Sequence, residues 1–467
     1  MIATVSRALA TALLLTLAGL LARTAAATDG PEGRIPAFAR KYRTSCSTCH
    51  TAAPKLNVLG EAFQLNGYRF PENDLLLRKD QPVPLGAEPW RDLWPRAVWP
   101  GEVSGFAPLA LRIQNDAGAM HRPDGATRWS YRFPNEVGLL AGSALGETIA
   151  AFLEADWNPT DGLEVEQAKL AFQDVLPWLP SRLANLWVGV QRLRLFTLGD
   201  PVVDGAGRAE FLWQTFRVAD LELRGGVGVP PSQSENAFRL GQPQPTIELN
   251  GLVGPRLYYA IGLSQGAGPL VDDNNAHKDL YYKLRYKLGG LRLDGTYAPG
   301  GGPLTGSYGQ LLDRALIVEH FGYFGSEPTN GVEDAHRSFG LNARVLWGPI
   351  DLGGGYVWGR HENPWGSGPR PVRYGSAFGK AEYLVFPWFI AALKADELHV
   401  SVPSQALPPG VTSVPADQTR LIPGVVLLIR QNIRGVLEAE LFARHAPSRA
   451  LAQATPGNLW IRLDVAF

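Results

Sequence analysis

The sequence predicts an all-β transmembrane barrel of about 16 antiparallel strands, preceded by a small N-terminal α-helical module. Apolar and polar residues alternate along segments of about ten residues, and tight Gly or Pro turns separate these segments. Charged residues make up only 19% of the 467 residues, and the mean hydropathy is -0.08. Such an average is expected when lipid-facing and lumen-facing side chains alternate. The 44 basic side chains balance 44 acidic ones, so overall charge does not favour a nucleic-acid binder.

The first 27 residues have the pattern of a secretory signal peptide. Arg7 precedes an apolar run from Ala8 to Ala22, and Ala25 and Ala27 form a small-residue cleavage pattern. The run of about 15 residues is shorter than the roughly 20 that a helix needs to cross a bilayer. We therefore expect export, with cleavage near Ala27.

Residues 28–70 form the predicted helical module, which contains both cysteines of the chain. They stand in the run CSTCH at positions 46–50, the C-x-x-C-H spacing of covalent c-type haem attachment. Thiols one helical turn apart can reach the two vinyl groups on one porphyrin edge, and the next residue brings an imidazole to the iron. We predict one haem c, bound by Cys46 and Cys49, with His50 as the proximal iron ligand. A thioredoxin-like redox pair is the alternative, although its βαβ context is absent.

Apolar spacing on both sides of the motif predicts two short helices. Phe38, Tyr42 and Cys46 recur every four residues, and the segment from Pro54 to Gly67 carries a second apolar face. From Phe38 onwards the module holds only about thirty residues, too few to enclose a haem on both of its faces.

The module offers no strong candidate for the sixth iron ligand. Small cytochromes c use a Met some tens of residues after the motif, whereas residues 51–105 contain neither Met nor His. After the signal peptide the only methionine is Met120, which stands next to His121 in a predicted loop after the first strand. We therefore name Met120 or His121 as the distal ligand. A five-coordinate haem, or a weaker ligand such as Lys55, is the alternative.

Residues 71–104 are predicted to connect the module to the barrel. Six prolines interrupt any regular element in this segment. Trp90, Trp94 and Trp99 add aromatic surface that a disordered linker does not usually carry. We interpret the segment as a linker with aromatic anchors.

Residues 105–467 carry the barrel pattern. In the clearest hairpin, residues 277–297, one strand alternates Leu and Tyr with Lys and Arg, a Gly-Gly pair turns the chain, and residues 291–297 return as a second strand. The same alternation recurs at 247–263, 338–358 and 437–443. At roughly 20 to 23 residues per strand and connection, the segment holds 16 to 18 strands. We expect an even number, and favour 16.

A soluble β-sandwich also alternates, and it is the alternative fold. Its strands average roughly five to six residues, whereas the segments here reach about ten and place Tyr or Trp at their ends. The last segment, Leu459 to Phe467, ends on an aromatic residue and resembles the closing strand of bacterial outer-membrane barrels, where a terminal Phe is part of the assembly signal. We therefore place the chain in the bacterial outer membrane, with lipid around its outer face.

The module also resembles a known family. The residues that carry the resemblance are Phe38-Ala39-Arg40, the CSTCH run, Pro54 to Asn57, Gly60, Phe63 and Leu65 to Tyr68. Together they are similar to the signature of the fused monohaem cytochrome–porins, among them the iron-oxidising outer-membrane cytochromes. This resemblance implies electron transfer from an extracellular donor such as Fe(II) to a periplasmic c-type cytochrome or another periplasmic carrier. An iron:cytochrome c oxidoreductase activity is one candidate. Positions 41–43 and 51–53 depart from the iron-oxidising members.

Two other functions remain open at this stage. The chain could be a diffusion porin in which the haem module is a plug. Alternatively, the haem could sense or reduce a small ligand at an open sixth position. No residue is predicted to be catalytic in its own right, and no nucleic-acid partner is expected.

Overall fold

The computed structural model is a closed barrel of 16 antiparallel strands, as the sequence predicts. It describes residues 37–71, 74–79, 83–84, 102–103, 108–121, 127–145, 148–160, 162–200, 210–217, 224–225, 239–267, 275–302, 312–329, 331–365, 371–403, 411–413, 417–444 and 458–466. The predicted signal peptide, most of the connector with its three tryptophans, and Phe467 lie outside these residues.

The barrel strands follow one another in chain order, and the last pairs with the first. Their bounds are β1 Leu109–His121, β2 Thr127–Leu145, β3 Ile149–Asn158, β4 Gly162–Phe172, β5 Asn185–Arg192, β6 Pro243–Val253, β7 Leu257–Ser264, β8 Asp279–Gly289, β9 Asp313–Thr329, β10 Val332–Gly348, β11 Ile350–His361, β12 Val372–Phe386, β13 Phe389–Ser401, β14 Gln418–Arg430, β15 Ile433–Arg444 and β16 Asn458–Ala466. Three two-stranded ribbons accompany them, pairing His50–Ala52 with Lys55–Leu56, Val83–Pro84 with Glu102–Val103, and Arg224–Gly225 with Val411–Ser413.

The two faces of the barrel wall differ in polarity. On β8, Leu284 and Tyr286 point outward and are exposed, whereas Tyr281, Lys283 and Lys287 point into the lumen and are buried. Large apolar side chains are exposed in the same alternating way on the other strands. A closed barrel with an apolar exterior and a polar interior is the architecture of outer-membrane proteins, because closure leaves no strand edge unpaired in lipid. The chain is therefore an outer-membrane β-barrel.

The predicted hairpin at 277–297 is correct in its first strand and wrong in its second. β8 ends at Gly289, and residues 290–302 form turns and irregular structure instead of a strand. Leu291 and Leu293 are apolar for another reason: they are buried inward against the N-terminal module. Alternation alone cannot tell a lipid-facing leucine from one that covers a helix.

The four helices among the described residues are short: two belong to the N-terminal module, one to the connector and one to the segment between β5 and β6. They are α1 Ala37–Tyr42, α2 Val58–Leu65, α3 Asp74–Leu77 and α4 Leu212–Thr215, and a 3-10 turn spans Cys46–Thr48. Asn57 caps α2 by accepting a hydrogen bond from the Gly60 backbone N–H at 2.9 Å. In the described part of the chain, no helix is both long and apolar enough to span a membrane.

The N-terminal module packs inside one end of the barrel. Val58 and Ala62 of α2 pack against residues contributed by the β8–β9 connection, β9 and β10, which are Leu291, Ala315, Ile317 and Leu346. Ala52 packs against apolar residues of β12 to β15, which are Leu384, Ile390, Val426, Leu428 and Val436. The module thus completes its hydrophobic core with the barrel wall, as a domain of this size needs to do.

The module lies at the end that carries most of the short strand connections. These are residues 146–148, 254–256, the single residue Pro349, 387–388 and 431–432, while the longer connections 173–184 and 290–312 lie at the same end. The opposite end carries the short connections 159–161 and 330–331 and the longest of all, residues 193–242. Outer-membrane barrels have short turns on the periplasmic side and long loops outside the cell. The module therefore occupies the periplasmic end.

A second segment fills part of the lumen. Described residues between β5 and β6 fold inward, and Phe196 packs edge-on against Phe321 with ring centroids 4.8 Å apart. Farther along, the Leu212 backbone N–H at the start of α4 donates to Asp396 at 2.7 Å. This segment, which we call the lumen segment (residues 193–200 and 210–217), covers the inner face of several strands between β8 and β13.

Deletion of Phe467 is expected to lower the amount of assembled barrel in the outer membrane. β16 closes the barrel by pairing with β1 from Asn458–Met120 to Ala466–Arg112, so the segment next to Phe467 forms the seam. Heat-modifiable migration of the barrel on gels measures assembly, and a Phe467→Tyr variant that keeps an aromatic terminus is the control. Equal assembly of the deletion variant and the wild type would contradict the prediction.

Candidate functional site

The C-x-x-C-H run forms a tight turn that Asn57 holds in place. The Cys49 N–H donates to the Cys46 carbonyl at 3.2 Å. The Asn57 side chain donates to the carbonyls of Ser47 at 3.0 Å and Thr48 at 3.1 Å, and its backbone N–H donates to Cys49 at 2.8 Å. One short side chain therefore fixes the turn and begins α2 at the same time.

Gly60 is required for α2 to approach this turn. A Cβ at position 60 would lie 2.1 Å from the Cys49 carbonyl oxygen, a backbone atom that cannot move aside independently. Only glycine permits this close packing. Gly60 thus positions the turn although it carries no functional group.

Both thiols are free, partly buried and face the same cavity. Burial raises the pKa of Cys46, and burial together with the neighbouring Cys46 raises the pKa of Cys49 to about 12. Both groups are therefore protonated thiols at neutral pH. Two reduced thiols one turn apart match the form in which cysteine adds to a haem vinyl group.

His50 is oriented by its own backbone. Its Nδ1 hydrogen bonds to the Pro54 carbonyl at 3.1 Å, an arrangement that makes Nδ1 the donor and leaves Nε2 with a lone pair. Burial lowers the pKa of the imidazole, while hydrogen bonds to the backbone at Pro54 and Lys55 oppose that effect. A neutral imidazole with Nδ1 anchored to a carbonyl is the usual form of a metal-ligating histidine.

The cavity beside these three residues lies between the module and the barrel wall. Its volume is about 280 Å³, counted as the space open to the centres of water-sized molecules. Aromatic rings line one side, and Tyr68 stacks between Phe38 and Phe152 with centroid distances of 5.3 and 5.4 Å. The remaining wall comes mainly from β1, β2, β3, β4, β15 and β16. The barrel thus supplies the second face that the module is too small to build.

The donor set and the cavity fit a c-type haem. Cys46, Cys49 and His50 open on one space, and the apolar rings suit a flat, apolar macrocycle. In the described residues, no group of three or more His, Cys, Asp or Glu side chains is arranged to hold a metal ion. His50 alone would ligate iron that the porphyrin already holds.

The predicted distal ligands lie far from the cavity. Met120 and His121 end β1, eight or more residues beyond Arg112, which is the last β1 residue to line the cavity. At about 3.3 Å per residue, this is roughly 26 Å along the strand. The loop predicted to hold them is therefore part of a strand, and the structure does not bring either backbone position to the site. Lys55 is also engaged elsewhere, since its Nζ lies 2.7 Å from Asp351 and bonds Glu382.

Met120→Ala and His121→Ala are expected to leave the haem spectrum unchanged. Both positions lie at the extracellular end of β1, whereas His50 lines the cavity at the periplasmic end. Near-infrared magnetic circular dichroism of the oxidised protein identifies axial ligands, and His50→Ala is the positive control. A ligand-field change in either the Met120 or the His121 variant would restore that residue as a distal ligand.

Buried ion pairs fix the module to the barrel next to this site. Lys55 reaches Asp351 and Glu382 on β11 and β12, and Glu61 of α2 accepts a hydrogen bond from Arg344 of β10 at 2.9 Å. Burial alone would raise the pKa of Glu61, but Arg344 and other basic residues nearby hold it below its usual value. The carboxylate is therefore ionised, and the pairs join module and wall.

Sequence reasoning missed the wall residues of the cavity. Phe152, Arg112 and Gln167 line it from three strands that are separated in sequence from the motif. Their inward direction follows from alternation, but their level along the barrel depends on strand register, which no local pattern encodes. Gly142 is a further case, because a Cβ there would lie 2.8 Å from the Phe38 ring.

Comparison with known proteins gives structural similarity alone. No protein-family model and no curated protein matches the sequence. The fold is similar to the anion-selective porin from Comamonas acidovorans at 12% identity and a TM-score of 0.49, over 77% of this chain and 98% of that one. The outer-membrane channel DcaP of Acinetobacter baumannii (10%, 0.49, 77% and 96%) and OmpF of Salmonella typhi (10%, 0.49, 78% and 98%) are similar to the same extent. By its own strand topology and lipid-facing surface, the chain is a porin-like, 16-stranded outer-membrane barrel.

Proposed function

We propose that this protein transfers electrons at the outer membrane through one covalent haem c bound by Cys46 and Cys49, with His50 as proximal ligand. Extracellular Fe(II) is the proposed donor, and a periplasmic c-type cytochrome or similar carrier is the proposed acceptor. The observation that carries the proposal is the convergence of both thiols and His50 on one cavity between module and barrel wall.

Each residue has a defined part in this proposal. The two thiols anchor the macrocycle, Asn57 holds their turn, and the Pro54 carbonyl orients the His50 imidazole. When bound, a haem would supply one-electron redox chemistry, which a porin wall lacks. The rings of Phe38, Tyr68 and Phe152 exclude water from one side.

The position of the module supports the direction of transfer. The module lies at the periplasmic end, where soluble carriers reach it, and the lumen segment occupies part of the space between it and the outside. A redox centre inside the barrel moves an electron across the membrane without requiring the donor to enter the cell.

Stopped-flow mixing of the oxidised, haem-loaded protein with Fe(II) tests the donor. We expect a reduced c-type α band to appear rapidly, and its absence at every pH tested would reject Fe(II) as donor. Reduction by dithionite, with potentiometric titration, then tests electron transfer separately. Binding of CO to the reduced protein would instead favour a small-ligand function.

A diffusion porin with the module as a plug is the second candidate. The closed 16-strand barrel favours it, as do half-buried charged side chains such as Glu136, Arg192 and Glu440 on its inner face. Single-channel recording of the full chain in planar bilayers distinguishes the two. The second function would be established if the protein conducted ions like a porin and none of the donors reduced its haem.

A further inference from the structure

The charged residues that line the cavity all belong to the barrel. The module contributes Cys46, Cys49, His50 and mainly apolar side chains, and none of its described lining residues is Asp, Glu, Lys or Arg. The barrel contributes two carboxylates and three arginines, which are Glu154, Asp464, Arg112, Arg194 and Arg434. The cavity therefore has one side that carries the thiols and another side that carries the cations.

A c-type haem is divided in the same way. Its two thioether bonds lie on one edge of the macrocycle, and two propionate carboxylates extend from the opposite edge. With Cys46 and Cys49 on the module side, the propionates would extend toward the barrel. Carboxylates in a largely buried cavity need a positive or hydrogen-bonding partner there.

Two of the three lining arginines already pair closely with carboxylates of the barrel. Arg112 lies within 3.6 Å of three carboxylates on β2 and β3. Arg434 uses two nitrogens on Asp464, and its Nε donates at 2.9 Å. These two guanidinium groups therefore balance charges of the wall itself.

Arg194, at the start of the lumen segment, is paired less completely. Its Nε lies 2.7 Å from a carboxylate oxygen of Asp200, and no hydrogen bond of the guanidinium to another described residue accompanies this contact. Its backbone has a φ of 48°, in the left-handed region, and the buried side chains of Leu193 and Leu195 hold the chain on both sides. The terminal nitrogens of Arg194 are therefore available to a group in the cavity.

Arg194 lies near the end of α2 that is distant from the cysteines. Burial raises the pKa of the Tyr68 hydroxyl to about 12, and the strongest opposing influence is the charge of Arg194, followed by a hydrogen bond with Gln64. Gln64 is in the last turn of α2, whereas Gly60 packs against Cys49 near its first turn. At a rise of about 1.5 Å per residue, the two positions are roughly 6 Å apart along the helix.

Lys169 of β4 adds a second cation close to the same rings. Its ammonium lies 4.7 Å from the centre of the Trp187 ring and 6.0 Å from that of Phe152, which lines the cavity and stacks on Tyr68. Lys169 is only 5% exposed, and no carboxylate of the described residues lies within ion-pair distance of it. Because a buried cation without a counter-charge is costly, a carboxylate bound nearby would be stabilised.

We propose that the Arg194 guanidinium binds a propionate carboxylate of the haem, and that Lys169 supplies a second positive charge to the propionate edge. The inference rests on the proposed function, because it takes the haem to be bound at Cys46 and Cys49. A guanidinium that offers two nitrogens to one carboxylate gives a strong and directional pair. Arg194 is therefore a positioning residue, which fixes the edge of the macrocycle that the thioethers leave free.

Resonance Raman spectra of the haem-loaded full chain test the proposal, because the propionate bending band shifts when a propionate loses a hydrogen bond. We expect this shift in Arg194→Met, which removes the guanidinium and keeps an unbranched side chain.

Potentiometric titration at several pH values gives a second measurement. An opposite charge nearby keeps a carboxyl ionised, so loss of Arg194 should raise the pKa of the propionate. The reduction potential of Arg194→Met should then fall as the pH rises through neutrality, while that of the wild type stays constant. Arg194→Lys keeps the positive charge and should restore the constant profile. Lys169→Met should change the profile in the same direction as Arg194→Met, and it tests the proposal separately if that variant does not assemble.

Arg192→Met is the matched control. Arg192 lies two residues from Arg194 and pairs with Glu166 at 2.7 Å and Glu210 at 3.2 Å, but it does not line the cavity. Its propionate band and pH profile should equal those of the wild type. Equal bands and profiles in the wild type, Arg194→Met and Lys169→Met would overturn the inference and leave the haem assignment standing. Covalent haem that no donor reduces would reject the proposed electron transfer alone, whereas a wild-type chain without haem would reject both.

Discussion

Replacing Cys46 and Cys49 together by alanine is expected to abolish covalent haem attachment. The two thiols line the cavity beside His50, and the sequence contains no other cysteine that could replace them. Each thiol can form one thioether bond, so a single substitution leaves at most one. Haem staining after denaturing electrophoresis measures the covalent fraction, and it should fall to the background of a haem-free protein.

Ser47→Ala is the matched control for this experiment. Ser47 lies in the same turn, and its backbone carbonyl, which Asn57 binds, is unchanged by the substitution. Haem staining of this variant should equal that of the wild type. Undiminished staining of the Cys46/Cys49 double variant would remove the haem assignment and with it the electron-transfer proposal.

Lys55→Met is expected to release the module from the barrel. The Lys55 side chain is 7% exposed and lies between two buried carboxylates, Asp351 and Glu382. Removal of one member of a buried ion pair typically costs roughly 3 to 5 kcal/mol. The cost here is below that range, because Asp351 keeps Arg344 at 2.8 Å and Glu382 keeps Lys380 at 3.7 Å. Limited trypsin digestion of the assembled protein measures the release, since Lys41 and Arg69, which are buried in the wild type, become accessible in solution.

Lys79→Met provides the comparison in the connector, at a residue whose backbone N–H donates to the Lys41 carbonyl of the module at 2.8 Å. Lys79 is exposed, so the same change of side chain removes no buried pair. Its digestion should follow the wild-type time course, whereas the Lys55 variant should lose the module faster while the barrel stays intact. Identical digestion of the two variants would show that apolar packing at Ala52, Val58 and Ala62 is sufficient to hold the module.

The barrel could be predicted because each strand records its two environments locally. Along β8, every second residue meets lipid and every other one meets the lumen, so the period of two appears in the sequence itself. The same rule misled at Leu291, where an apolar residue covers α2 instead of facing lipid. The strand count was accessible from length, but the lumen segment was not, since its burial depends on strands distant in sequence.

The candidate site also has one part that the sequence could predict and one part that it could not. The C-x-x-C-H spacing and the cap at Asn57 are local, and the sequence was sufficient to identify the three haem-binding candidates. Met120 was chosen because it is the only methionine after the signal peptide, and elimination by residue type carries no information about distance. Its separation from Arg112 follows from the continuous course of one strand.

The cavity wall includes the seam of the barrel, and this has a consequence for biogenesis. Ala110, Leu111 and Arg112 line the cavity from β1, and Asp464 and Ala466 line it from β16. These two strands meet only when the barrel closes. Closure of the barrel and completion of the cavity are therefore one event.

An enzyme that joins a haem to Cys46 and Cys49 must reach both thiols from outside. After closure, the module on one side and β1 to β3 on the other surround the space onto which the thiols open. Under the proposed function, attachment would therefore come first, while the chain is still open in the periplasm. The barrel would then fold around a module that already carries the proposed haem, so that attachment would precede insertion into the membrane.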